Sequence, residues 1–101
     1  MSTTKTTLIS EEFEVYGKVQ GVFFRKFTVQ QGQKLGLRGW CMNTNRGTVS
    51  GVLEGDAEMV EAMKQWLQNV GSPQSKIERA EFRNQRVINA FTFKDFSVRH
   101  Q

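Results

Sequence analysis

The segment Gly17-Lys18-Val19-Gln20-Gly21-Val22-Phe23-Phe24-Arg25 joins a strand-like alternation to the start of a helical pattern, and this junction could hold an anion. Glycine-flanked backbone there can turn several N–H groups toward one point, and the helix N-terminus adds about half a positive charge. An arginine in the first turn offers a planar fork that matches phosphate oxygens. The surrounding charge agrees. Between Gly17 and Arg46 lie six basic residues, Lys18, Arg25, Lys26, Lys34, Arg38 and Arg46, and no Asp or Glu, whereas residues 56–101 carry seven basic against six acidic. From residue types alone a plainer reading stays open: Gly17 and Gly21 make only a turn and Arg25 is a solvated helix residue.

The other reactive residue types offer less. The single cysteine, Cys41, has no partner for a disulfide, no second Cys or nearby His for a metal, and no paired base to make it a nucleophile. It reads as a small apolar strand residue, and neither a metal nor a cofactor is expected. His100, the one histidine, stands next to the last residue, where chain ends are often mobile, and is not expected to be catalytic. Lys18, Lys26 and Arg46 read as solvated charges that steer an anionic substrate.

The elements that must position this junction follow from hydrophobic period. Over residues 12–19, Phe13, Val15 and Val19 fall on one face and Glu12, Glu14 and Lys18 on the other, the pattern of a half-buried strand. Phe24, Phe27 and Leu35 share a helical face, with Gly36 as the stop, which predicts a helix over residues 24–35. Gly32 falls mid-helix on the inner face at a cost of roughly 1 kcal/mol relative to Ala, and close packing against a sheet would account for it. Residues 37–42 and 48–54 predict two strands joined by a hairpin loop over Asn43–Gly47, with Val49, Gly51 and Leu53 facing inward. Asp56 caps a second helix whose stripe is Met59, Val60, Met63, Trp66, Leu67 and Val70, closed by Gly71-Ser72-Pro73. Extended stretches over 77–87 and 93–99 complete the chain.

This β-α-β-β-α-β order, with an extra terminal strand, predicts an α+β ferredoxin-like split βαβ sandwich, two helices covering one face of an antiparallel sheet. The 101 residues, 38% hydrophobic and 24% charged, suit one domain over residues 8–101 behind a polar tail over residues 1–7. A core of that size leaves little room for a large cofactor. No run is long and apolar enough for membrane insertion and no signal segment precedes the domain, so a cytoplasmic protein is expected. The net charge of +4 and pI near 9.6 favour acidic partners without naming one.

Two motifs narrow the choice. Gly17-x-Val19-Gln20-Gly21-Val22-x-Phe24-Arg25 and Gly39-Trp40-x-x-Asn43-Thr44-x-x-Gly47-Thr48-Val49 resemble the paired signatures of the acylphosphatase family. The resemblance extends through Trp66-Leu67 and Gly71-Ser72-Pro73 to Phe96-Ser97-Val98-Arg99, in the manner of the small vertebrate-type enzymes. It implies that Arg25 binds phosphate, that Val19, Gln20, Gly21, Val22, Phe23 and Phe24 form the phosphate cradle, and that Asn43 positions water. It also implies a monomer acting on small-molecule acyl phosphates, with aspartyl-phosphate protein intermediates as a further class. His100 stands near where the family commonly ends in Tyr, and Phe23 where some members carry Cys, so no thiol is required. Trp40 is expected to pack beside the site.

The chemistry is within reach of these residues. An acyl phosphate expels a carboxylate, already stable as an anion, so no strong general acid is needed. Fixed N–H donors and a guanidinium can stabilise the charge on the phosphoryl oxygens, and an amide oxygen can hold water in line with phosphorus. Two rivals differ in class. A basic split βαβ module binding RNA through sheet aromatics would need an aromatic pattern that this chain lacks. A phosphate-binding regulatory domain without turnover would keep Arg25 and the cradle but would not need Asn43.

Overall fold

The computed structural model describes residues 7–100. The elements are β1 (Leu8–Lys18), α1 (Phe24–Lys34), β2 (Arg38–Asn43), β3 (Val49–Asp56), α2 (Ala57–Asn69), β4 (Lys76–Val87) and β5 (Phe96–Val98). The expected order is present, extra terminal strand included. β1 starts at Leu8 rather than Glu12, because Leu8, Ile9 and Ser10 already pair with Asp56, Gly55 and Glu54 of β3. Of the tail expected over residues 1–7, only Thr7 lies among the described residues; its carbonyl accepts the Ala57 N–H at 2.9 Å.

The sheet order is β4-β1-β3-β2-β5. The first four strands are antiparallel, while β5 pairs in parallel with β2, so the sheet is mixed rather than wholly antiparallel. The crossing segment explains the direction. After β4 the chain passes along one end of the sheet, where the N–H groups of Thr92 and Phe93 donate to the buried Glu54 carboxylate at 2.8 and 3.2 Å. It reaches the far edge where β2 begins, with the Gly39 N–H donating to the Asp95 carbonyl at 2.9 Å, and must then run alongside β2 in the same sense.

The core lies between the sheet and the helices. Phe13, Val15, Cys41, Val49, Leu53 and Phe96 meet Phe24 from α1 and Val60, Met63 and Leu67 from α2, all buried. Each such side chain contributes about 1.5–3 kcal/mol by leaving water. The mid-helix Gly32 is explained by packing: a Cβ there would collide with the Phe96 ring of β5. Val70, expected to end the α2 stripe, lies beyond the last helical residue and is exposed. Because β1, β2 and β5 run in one direction, they end at one edge of the sheet, at Lys18, Asn43 and Val98, and α1 starts from the loop that leaves the first of them.

Candidate active site

The loop from Val19 to Phe23 is held from two sides. Gln20 Nε2 donates to the carbonyls of Thr44 and Thr48, each at 2.9 Å, which ties the loop to the β2–β3 hairpin. Ser72 Oγ donates to the Val22 carbonyl at 2.8 Å, which ties it to the α2–β4 connection. The two glycines of the first motif do different work. Gly17 (φ 125°) sits at an irregularity where β1 meets β4 so closely that a Cβ would strike the Lys76 carbonyl, whereas Gly21 (φ 74°) has open space around it and turns the loop. Phe23 precedes α1 in the left-handed region (φ 60°), 70% exposed, and supplies no side-chain cap. No acidic residue follows in the first turn, so the positive end of α1 is unneutralised by its own helix.

Arg25 stands in that first turn, half-buried, and makes no ion pair among the described residues. Its backbone carbonyl lies 3.8 Å from Cys41 Sγ. Burial pushes the Cys41 thiol up to about 12 against the opposing pull of the Arg25 charge, which keeps it protonated and inert as a nucleophile.

Asn43 ends β2, paired with Val49, rather than opening the hairpin loop as expected. Its backbone φ is not positive, and its buried Oδ1 accepts no hydrogen bond among the described residues. Neither a special backbone angle nor a local hydrogen bond therefore accounts for an asparagine here. Leaving a buried acceptor unmet costs about 1–3 kcal/mol, so the position is one that a bound water or substrate would relieve.

The hairpin after Asn43 is built on a buried charge. Thr44 and Thr48 hydroxyls lie 2.6 Å apart, and Thr48 Oγ1 donates to Glu14 Oε2 at 2.6 Å. Arg46 donates to the same oxygen at 2.7 Å and Arg83 to Oε1 at 3.1 Å. Burial alone would raise the Glu14 carboxyl, but the hydrogen bonds from Thr48 and Arg46 outweigh it and hold it at about 2. Glu14, expected on a solvated strand face, is instead covered by these partners, and Arg46 is engaged there rather than free to steer substrate.

Between α1 and the strand ends lies a cleft of about 470 Å³. Val19, Gly21, Phe23, Phe24 and Arg25 line one side and Asn43 the other, so most of the expected site residues converge. Gln20 and Val22 do not line it; they act as the loop's anchors. Trp40 faces the opposite side of the sheet, beneath the Arg99 guanidinium at 4.5 Å, and not the site. Lys26, Val98 and His100 complete the lining. The sequence reading set His100 aside as a chain end, but the Arg99 N–H donates to the Cys41 carbonyl at 2.8 Å and carries the β5 ladder on toward the cleft.

An unneutralised helix N-terminus and an arginine facing an unmet amide acceptor suit a phosphoryl group and a water. Comparison with known proteins agrees. A model of the Acylphosphatase family matches residues 11–98. The chain belongs to the acylphosphatase family. It is 53% identical to Acylphosphatase-1 of Mus musculus over 92 residues, covering 91% of this chain and 93% of that protein. With Acylphosphatase-2 of Homo sapiens it shares 43% over 98 residues, 97% of this chain and 99% of the other. An acylphosphatase structure from Coxiella burnetii superposes with a TM-score of 0.80 at 31% identity, covering 96% of this chain and all of the other. The protein is thus an acylphosphatase, a hydrolase of small acyl phosphates on a ferredoxin-like α+β fold. No helix among the described residues is long and apolar enough to cross a membrane.

Proposed function

We propose that this acylphosphatase works by direct attack of one water on phosphorus, with Arg25 and the backbone of the Val19–Phe24 loop holding the phosphoryl group and Asn43 Oδ1 holding the water. The carrying observation is that the unneutralised α1 N-terminus with Arg25 and the unmet Asn43 oxygen face a single cleft. The amide oxygen accepts a hydrogen bond from water and sets its lone pair toward phosphorus; Asn is not basic, so the proton passes to a substrate phosphate oxygen. As the water–phosphorus bond forms and the phosphorus–acyl oxygen bond breaks, the guanidinium and the loop N–H groups stabilise charge on the equatorial oxygens. The carboxylate leaves as an anion.

No Asp or Glu lines the cleft, and no three His, Cys, Asp or Glu side chains gather into a metal-binding group among the described residues. The reaction is therefore assigned to these protein groups alone, and chelation should leave the rate intact. The same reading extends to a monomer in the cytoplasm, where a reducing compartment keeps the unpaired Cys41 as a thiol. Aspartyl-phosphate protein intermediates share the reacting bond and fit as further substrates.

Hydrolysis in oxygen-18 water tests the step. Attack at phosphorus places the label in phosphate and none in the carboxylate, with no burst of carboxylate ahead of phosphate. Label in the carboxylate, or a trapped phosphoenzyme, would overturn the mechanism.

A further inference from the structure

Phe23 carries a side chain that the fold does not account for. Its backbone holds a left-handed angle (φ 60°), which a bulky residue adopts only under strain, and its ring is 70% exposed. The other non-glycine residue at positive φ among the described residues is Asn84, whose short polar side chain tolerates that angle. The other large apolar side chains left open, Val70 and Val87, lie at the ends of α2 and β4 without a positive φ. Phe23 does not cap α1, and the Lys26 ammonium 5.9 Å from its ring centroid leaves the ring open. Gly or Asn would make the same turn with less strain, so the turn does not require a phenylalanine.

The ring borders two hollows. It lines the cleft that holds Arg25 and Asn43, and it lines a second, open hollow of about 220 Å³ with Val22, Phe27, Pro73 and Gln74. No charged side chain lines the second hollow. An apolar cavity of about 150 Å³ already takes benzene, so the second hollow has room for one aromatic ring. The direction of the reaction agrees. In-line displacement sends the leaving acyl oxygen away from the attacking water, and the wall that faces Asn43 is the loop that ends in Phe23.

We infer that Phe23 and the second hollow form an acyl subsite, which selects acyl phosphates with an aromatic or extended apolar acyl group. The inference rests on the reading that places the phosphoryl group at Arg25 and the water at Asn43. An apolar acyl group laid against the Phe23 ring and into the hollow covers surface that otherwise faces water, and an offset or edge contact between two rings adds to the gain. Acetyl ends one methyl beyond its carbonyl carbon and stops short of the hollow. Benzoyl and hexanoyl groups extend several atoms farther and enter it.

Steady-state kinetics on acetyl, hexanoyl and benzoyl phosphate test this, read as the kcat/KM of each longer substrate divided by that of acetyl phosphate. The intrinsic reactivity of each anhydride cancels when variant and wild-type ratios are compared, and so does any change in the phosphate cradle, which all three substrates share. Phe23→Asn suits the left-handed angle and removes the ring; it should lower both ratios about five-fold, equivalent to about 1 kcal/mol. Phe27→Ala, outside the cradle, should lower them about three-fold. Ratios that keep their wild-type values in either variant would overturn the acyl subsite. Inorganic phosphate that still competes equally well in Arg25→Gln would instead overturn the phosphoryl assignment beneath it.

Discussion

At the start of α2 the Asp56 carboxylate accepts the Glu58 N–H at 2.9 Å, and Glu58 adds a second negative charge in the first turn. At the start of α1 Phe23 supplies no acceptor, no acid follows, and the first charged side chain is Arg25. One helix is completed by its own sequence; the other is left for something else to complete. A side-chain cap is worth about 0.5–2 kcal/mol, so α1 forgoes stability of that order and α2 does not. The binding energy that α1 withholds from the folded chain is available to an incoming phosphate, which meets open N–H groups and a guanidinium with no internal anion to displace.

Changes at the open end should act on chemistry and changes at the closed end on stability. The largest effect is expected for Arg25→Gln, with most activity lost, about three orders of magnitude in kcat/KM. It should also lose the thermal protection that phosphate gives the wild type, which amounts to about 2.7 kcal/mol at a concentration about 100-fold above Kd. Arg25→Lys keeps the charge but not the fork and should recover little. Phosphate-dependent melting together with steady-state kinetics checks both variants.

Asn43→Ala should come next, with turnover down roughly two to three orders of magnitude and near-normal phosphate affinity. Denaturant unfolding should show no loss of stability, since the substitution removes a buried acceptor that has no partner. A folded variant with wild-type kcat would take Asn43 out of the mechanism.

Asp56→Ala should reverse the pattern, unfolding about 1 kcal/mol more easily with kcat/KM retained. Equal damage to both quantities would mean that the two helix starts are not independent. Glu14 is held at about 2 against an ordinary value of 4.5. A carboxyl depressed on folding contributes stability fully present above about 4.5 and lost as pH falls through about 2. Glu14→Gln should therefore flatten that acid limb of a stability profile, and its hairpin should place Asn43 less well, lowering kcat without changing phosphate affinity.

How much of this the sequence displayed depends on whether the interaction is local. The helices, the strands and the Gly21 turn were legible because period, caps and turn residues act over a few positions. The contrast between Asp56 and Phe23 could also be read directly. The carboxylate network was not, since Glu14 meets Thr48 and Arg83 at sequence separations of 34 and 69 residues, and its strand alternation gave it to solvent. The parallel pairing of β5 was hidden for the same reason, and with it the placement of His100. Gln20 was expected in the cradle and Ser72 in the stop of α2, and their anchoring roles were not legible because their bonds run to carbonyls supplied by distant segments. The convergence of Arg25 with Asn43 was legible only through the paired motifs, because no periodicity relates a helix start to the end of another strand.

The position of β1 has a kinetic consequence. It is made first and lies inside the sheet, yet its partners are β3 and the still later β4, with Val15 pairing to Val49 and Ala80. No hairpin can form from it: β2 and β3 can pair locally, but β1 joins the sheet only on closure of long loops. Folding should be slow for a domain of this size, on the order of milliseconds to seconds. Throughout that interval the Phe13 and Val15 side chains and both hydrogen-bonding edges of β1 stand open to other chains.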